Sequence, residues 1–400
     1  MEASAAPQGG PELADLFRTH GQDLHGLSSQ QRKVATAILS CRTAALGGHA
    51  RECENGCGYE EIAYNSCRDR HCPKCGTLER MRWQEARAQD LLPVPYYHLV
   101  FTIPSSLHDI FLAHQKLAYS LLFAAAADTL KEVAANPKNL GALIGMTAVL
   151  HTWTQILLYH PHLHFIVPGG GLDPEGHRWI PSPNNFFLSV RILSDVFRGK
   201  LLDALHKAVA SGQIRASTRT GVPVARLLKR AARHKWVVYA KRPFAGPQQV
   251  LAYLGRYTQR IALSNERLVS TQDDQVTFRY RDRADGNRLK HMTLAAPVFL
   301  RRFLLHVLPP GFARIRHYGF LASSVRRHRI PHCRQLLGPQ AQAPPPAAPP
   351  TETWQEMMLR LTGKDVTLCP RCQKGLLLLI AVVPRTAQPP GPIHPRGPPP

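Results

Sequence analysis

The sequence predicts an α+β fold. Short strand-like runs alternate irregularly with long amphipathic helices, two of the strands are separated by only a few residues, and there is no internal repeat. The helical spacing of apolar residues predicts helix over much of Leu13 to Leu46, followed by cysteine-rich loops. Leu78 to Leu92 reads as a charged helix carrying Arg80, Arg82 and Arg87. Alternation predicts a strand over Tyr97 to Ile103, and His114 to Ala135 is a long helix with Leu117, Leu121, Leu122 and Leu130 available to a core. Leu143 to Thr154 and His162 to Val167 are strands close enough to pair antiparallel. Val190 to Ala210 is a further amphipathic helix, and Trp236 to Ala240 and Val276 to Tyr280 complete the strands.

Composition restricts the partner. Fifty Lys and Arg against 27 Asp and Glu leave a net charge of +23 over 400 residues, which favours a polyanion and above all nucleic acid. Met1 to Leu16 lacks the basic start and apolar core of a signal peptide. The apolar run Leu376 to Val383 is too short to span a bilayer. No basic amphipathic helix points to a membrane surface. The expected location is therefore cytoplasmic.

Reduced intracellular thiols make disulfides a poor reading of nine cysteines, and their clustering points to metal. Arg51-Glu-Cys53-x-x-x-Cys57-Gly58 and Cys67-x-x-x-His71-Cys72-Pro-Lys-Cys75-Gly76 read as paired zinc knuckles, because short cysteine hairpins present two thiolates each to a tetrahedral ion. Cys53, Cys57, Cys72 and Cys75 are the expected Zn2+ ligands, with Cys67 and His71 as alternates or parts of a second site. Such a full ligand set is structural rather than catalytic. Arg68, Arg70 and Lys74, interleaved with these ligands, suggest a face that contacts DNA. Cys369 and Cys372 supply half a site, which Cys333 and His332 could complete.

Two further motifs suggest chemistry. Within Tyr159-His-Pro-His162-Leu-His164-Phe, side chains alternate across a strand, so His162 and His164 share one face and can grip one cation. In Pro247-Gln-Gln-Val-Leu-Ala-Tyr253-Leu-Gly-Arg256-Tyr257-Thr-Gln-Arg260, a helix opening at Pro247 would align Tyr253 with Tyr257 and Arg256 with Arg260. Either motif alone is more often core packing. Together they are the equipment for cutting a phosphodiester with a tyrosine.

In these motifs the chain resembles the rolling-circle insertion-sequence transposases of the HUH (His-hydrophobic-His) superfamily, two-tyrosine type, bacterial relatives of the Helitrons. The likeness extends from about Leu27 to Arg334 and includes Leu92 to Pro104, His151-Thr-Trp-Thr-Gln155 through Gly171, Trp236 to Pro243, the tyrosine motif and Ile315 to Leu321. The first cysteine pair departs from the usual family spacing, with three residues between Cys53 and Cys57 instead of two.

The resemblance implies a central antiparallel sheet carrying the HUH strand, with the tyrosine helix packed across it. It implies an amino-terminal zinc-binding DNA-recognition domain (13–95) and a two-tyrosine nuclease domain (96–335). Around these the composition places a disordered start (1–12), a Pro-rich linker (338–350), a small CxxC module (351–383) and a disordered Pro-rich tail (384–400). The implied reaction nicks and joins single DNA strands through a 5′-phosphotyrosine at Tyr253 and Tyr257, aided by Mg2+ or Mn2+ on His162, His164 and a third ligand. Gln155 is the first choice for that ligand and His160 the second. Arg256, Arg260 and Lys241 are expected to meet the DNA backbone. A plasmid replication initiator or relaxase shares this chemistry but typically carries a different amino-terminal domain. A non-enzymatic zinc-dependent DNA-binding protein would lack the histidines or the tyrosines.

Overall fold

The computed structural model of the chain describes residues 10–183, 187–218, 221–244, 249–250, 255, 262–338 and 352–386. The amino-terminal region opens with α1 (Leu13–His20) and α2 (Ser29–Ser40), so the expected helical stretch is broken by a turn through Gly21–Asp23. At the start of α2 the Ser28 hydroxyl accepts from the Gln31 amide at 3.2 Å, and the Gln31 side chain accepts from the Ser28 amide at 2.9 Å. The helix ends at Cys41. Strands β1 (Gly48–Cys53) and β2 (Glu60–Tyr64) then form an antiparallel hairpin, followed by α3 (Thr77–Ala88).

The centre of the protein is an antiparallel sheet. Strand β3 (Tyr96–Thr102) is followed by α4 (His108–Ala113) and α5 (Gln115–Ala135). Strands β4 (Met146–Trp153) and β5 (Tyr159–Pro168) make the hairpin that the sequence predicts, and β6 (Gly170–Leu172) with β7 (Trp179–Pro181) adds a small ribbon. Helices α6 (Val190–Ala210) and α7 (Val224–Arg233) lead to β8 (Val237–Phe244). Beyond it, β9 (Leu268–Gln272), β10 (Gln275–Asp282) and β11 (Arg288–Ala295) form a meander that feeds α8 (Ala296–Leu304). Strand β12 (Ile315–Tyr318) returns to the central sheet, giving the order β12-β4-β5-β3-β8.

The period-two pattern of β5 decides what each face does. Leu163, Phe165 and Val167 are fully buried with Leu99 and Phe101 of β3, and Phe101 meets the Phe165 and Phe197 rings at 5.3 and 5.1 Å. Those odd positions form the main core with α5 and α6. The even positions, His162 and His164, therefore belong to the opposite face.

After α9 (Arg326–Leu336), residues 352–386 turn back to the amino-terminal region rather than forming a separate module. Helix α10 (Trp354–Thr362) lies on α3, with the Arg360 guanidinium on Glu85 at 2.5 Å. Strand β13 (Leu377–Val383) pairs antiparallel with β1, giving the order β13-β1-β2. No helix among the described residues is long and apolar enough to cross a membrane.

Candidate metal centres and active site

Two antiparallel pairings gather histidines on one face of the sheet. His151 of β4 lies directly opposite His162, and His164 lies opposite Val100 of β3, next to His98, which pairs with Ile166. Directly opposed residues share a face, so His98, His151, His162 and His164 all sit on the side away from the main core. They are 3%, 3%, 8% and 4% exposed. His151, His162 and His164 can each offer one ring nitrogen, with all three atoms within 4.8 Å of one another. The ring centroids of His151 and His164 are 4.3 Å apart, and those of His162 and His164 are 4.8 Å apart.

Two contacts orient these rings. His162 Nδ1 lies 2.6 Å from the carbonyl oxygen of His160, to which it must donate, leaving the Nε2 lone pair for another partner. His164 Nδ1 lies 2.8 Å from His98 Nε2. Burial lowers the His162 pKa to about 4 and that of His98 to about 3, and pushes His164 well below the ordinary imidazole value. The charge of Arg283 acts on all three in the same direction, and that of Lys241 on His98. Burial therefore keeps His162 and His164 uncharged, as metal ligands must be. Three close imidazole donors on a shielded face fit a divalent ion with coordination positions to spare.

The third member of this cluster is His151, where the sequence reading puts Gln155 first and His160 second. Gln155 falls at the tip of the β4–β5 hairpin, beyond the Trp153–Tyr159 pair. There the carbonyls of Gln155, Ile156 and Leu157 take the side chains of Arg267, Arg302 and His306, the last two at 3.2 and 3.1 Å. This fastens the turn from outside and fixes the register that brings His151 to His162. His160 contributes its carbonyl to His162. The pairing of the two strands, which places His151 opposite His162, is what identifies His151.

The cysteines form two quartets, neither of them the expected set of Cys53, Cys57, Cys72 and Cys75. Cys41, Cys67, Cys72 and Cys75 have their sulfurs within 4.8 Å of one another, as do Cys53, Cys57, Cys369 and Cys372. Cys53 and Cys57 are therefore separated from Cys72 and Cys75. The cause is the β1–β2 hairpin, because six residues of strand span roughly 20 Å, far more than one zinc ion bridges. Cys41 and Cys67 flank the open end of that hairpin, while Cys53 and Cys57 lie at its turn. Within the first quartet, hydrogen bonds from Cys67, Cys72 and Cys75 draw the Cys41 thiol down, and that same pairing pushes Cys67 up. Four thiols this close cannot all ionise without a cation among them.

The remaining candidates fall as follows. His71 is held by protein on both ring nitrogens, Nδ1 against Asp69 at 2.8 Å and Nε2 accepting from the Leu308 amide at 3.2 Å, so it is not a zinc ligand. Arg70 donates to the carbonyl of Phe312 at 2.7 Å, and Lys74 pairs with Glu12 at 2.5 Å, so both bind the protein itself; Arg68 is exposed. Cys333 is buried with Phe320 and Ile330, and His332 lies 2.7 Å from the Gly176 carbonyl; neither joins Cys369. Lys241 is exposed on β8, opposite His98 and on the histidine face. Tyr253, Tyr257, Arg256 and Arg260 lie outside the described residues. Two residues beside them are described. Val250 is buried against Tyr96 and Ile166 on the histidine face, and Gly255 lies against the Gln84 side chain of α3.

Two family models match separate stretches of the chain. A family model described as "Transposase zinc-binding domain" matches residues 13–103, which include the whole Cys41 quartet, and one described as "Putative transposase" matches residues 145–329, which include the histidine cluster. The chain is 48% identical over 391 residues to "Putative transposase y4qJ" of Sinorhizobium fredii, covering 95% of this chain and 98% of that protein. It is 29% identical over 326 residues to the transposase for insertion sequence element IS801 of Pseudomonas savastanoi pv. phaseolicola, covering 80% and 77%. No solved structure matches. The thiol quartet in the first matched region and the agreement along nearly the whole chain lead to one conclusion: this protein belongs to the IS91-type transposases with an amino-terminal zinc-binding domain.

Proposed function

We propose that this transposase nicks and rejoins single DNA strands through a covalent 5′-phosphotyrosine on Tyr253 and Tyr257, during rolling-circle transposition of its element. The observation that carries the reading is the buried cluster of His151, His162 and His164 on the sheet face that also receives Val250, three residues before Tyr253. Mg2+ or Mn2+ held by these three imidazoles would polarise a non-bridging oxygen of the scissile phosphate.

The chain's own groups supply the rest. The exposed side chains of Arg283, whose charge acts on His162 and His164, and of Lys241, whose charge acts on the neighbouring His98, offer fixed positive charge to the phosphate. A tyrosine oxygen attacks phosphorus as its proton passes to solvent. The new bond joins phosphorus to the phenolic oxygen; the bond to the 3′ oxygen breaks, and that oxygen takes up a proton. The phosphoester energy stays in the adduct, so rejoining needs no ATP. With two tyrosines, two strands can be captured in succession. Attack at the sheet face requires an unpaired strand, which a basic groove accepts with little sequence preference.

The test uses the full chain and labelled single-stranded DNA from the ends of its own element. A covalent adduct should form, each of Tyr253→Phe and Tyr257→Phe should retain one cleavage or joining step, and the double variant should form none. An adduct mapped by mass spectrometry to neither tyrosine overturns the reading.

A further inference from the structure

We infer that Cys53, Cys57, Cys369 and Cys372 form a second structural zinc site, which clasps the carboxy-terminal segment to the amino-terminal domain. Cys53 and Cys372 are 319 positions apart in sequence, yet their sulfurs are 3.5 Å apart, and those of Cys57 and Cys369 are 3.6 Å apart. A tetrahedral ion with Zn–S bonds of about 2.3 Å requires sulfur–sulfur edges of about 3.8 Å. A disulfide requires about 2.0 Å. Both spacings match the edges of a zinc tetrahedron, as does the 3.7 Å between Cys67 and Cys75 in the first quartet.

The backbone around the quartet is that of two facing knuckles. In one, the Gly56 amide donates to the Cys53 carbonyl at 3.1 Å; in the other, the Gln373 amide donates to the Cys369 carbonyl at 2.9 Å and the Gly375 amide to the Cys372 sulfur at 3.4 Å. Such turns point two thiols of each pair to a common centre. The knuckles meet so closely that a Cβ on Gly375 would lie 2.7 Å from the Cys53 sulfur, so only glycine fits there. Contacts on either side hold the two in register. The Glu54 amide donates to the Leu376 carbonyl at 3.0 Å, the Leu376 amide to the Glu54 carboxylate at 2.8 Å, and the β1–β13 pairing continues from Cys53 to Gly48.

The clasp also accounts for the exposure of β13. Leu378, Leu379, Ile380 and Val382 are 47%, 60%, 50% and 67% exposed, so apolar burial contributes little to holding this strand. Four metal–thiolate bonds at one end of the strand supply the attachment that packing does not. Helix α10, in the same segment, is thereby kept on α3.

Metal counting on the full chain tests this. A His162→Ala, His164→Ala background ensures that only thiolate-bound zinc is measured. That protein should hold two zinc ions per chain, falling to one when Cys369→Ser and Cys372→Ser are added, with residues 352–386 becoming sensitive to protease while the amino-terminal core stays resistant. Two zinc ions retained in the serine variant, or Cys53–Cys372 and Cys57–Cys369 recovered as disulfides, overturns the assignment. If the serine variant misfolds, cobalt titration of the intact background decides the matter. Two equivalents, each bringing thiolate charge-transfer absorption, support the clasp, and saturation at one contradicts it. Neither result depends on strand cleavage.

Discussion

The Cys41 quartet takes its thiols from the end of α2 and the loop after β2, whereas His151, His162 and His164 project from two paired strands of the central sheet. In the quartet four sulfurs close the coordination shell. The loop that carries three of them is tied to the rest of the fold by a few contacts of Arg70, His71 and Lys74 and by core packing of the cysteines. In the triad the hydrogen-bonded ladder holds the ligands whether or not an ion is present, and three donors leave room for a further ligand. A metal at the first site would help to organise the protein, whereas at the second the protein would organise the metal. The two clusters should therefore respond to damage in opposite ways.

The largest effect belongs to the quartet. Cys41→Ser removes one of four ligands and leaves three thiols crowded around a weakened site. Zinc binding at such sites contributes on the order of 10 kcal/mol to folding, so loss of even a fraction of it should unfold residues 13–90. The expected outcome is loss of zinc, a lower melting temperature and loss of DNA binding, measured by elemental analysis, calorimetry and fluorescence anisotropy. A Cys41→Ser protein that keeps its zinc and its melting temperature would show that the quartet is not a metal site.

The smallest effect belongs to the cations that border the triad. Lys241→Ala removes one exposed charge on β8 and no packing. Affinity for single-stranded DNA should fall only a few-fold, and the slope of log K against log salt should shrink by roughly 0.7 for the lost phosphate contact. An unchanged slope would mean that Lys241 does not meet the backbone.

The contrast also explains what could be read in the sequence. His162 and His164 were legible because their spacing and the alternation of a strand are local facts. His151 required the exact register of β4 against β5, which is set by a bulge and by Arg267, Arg302 and His306 grasping the turn from distant parts of the chain. The cysteines were legible as metal ligands, but not their grouping into these two quartets. Their grouping depends on the length of the β1–β2 hairpin and on β13 returning across most of the chain, and neither leaves a local pattern. The long helices α5 and α6 and the strands β3, β4 and β5 were clear from periodicity. The strands β9, β11 and β12 are short or mix polar and apolar residues on exposed faces, and β13 reads as a plain leucine-rich run. The basic residues beside the cysteines illustrate the same limit: a charge in a knuckle looks like a DNA contact until Arg70 and Lys74 find their partners in the fold.

The central claim is that the sheet itself builds the catalytic centre from His151, His162 and His164, and its most direct test sets His151→Ala against Gln155→Ala in the full-length protein. Binding and cleavage of single-stranded element-end DNA are measured separately, with Mn2+ supplied. Binding rests on many phosphate contacts and the metal acts on the transition state. His151→Ala should therefore bind within about two-fold of the parent yet cleave at least about 100-fold more slowly, while Gln155→Ala should match the parent in both. Full cleavage by His151→Ala together with a crippled Gln155→Ala would contradict the account.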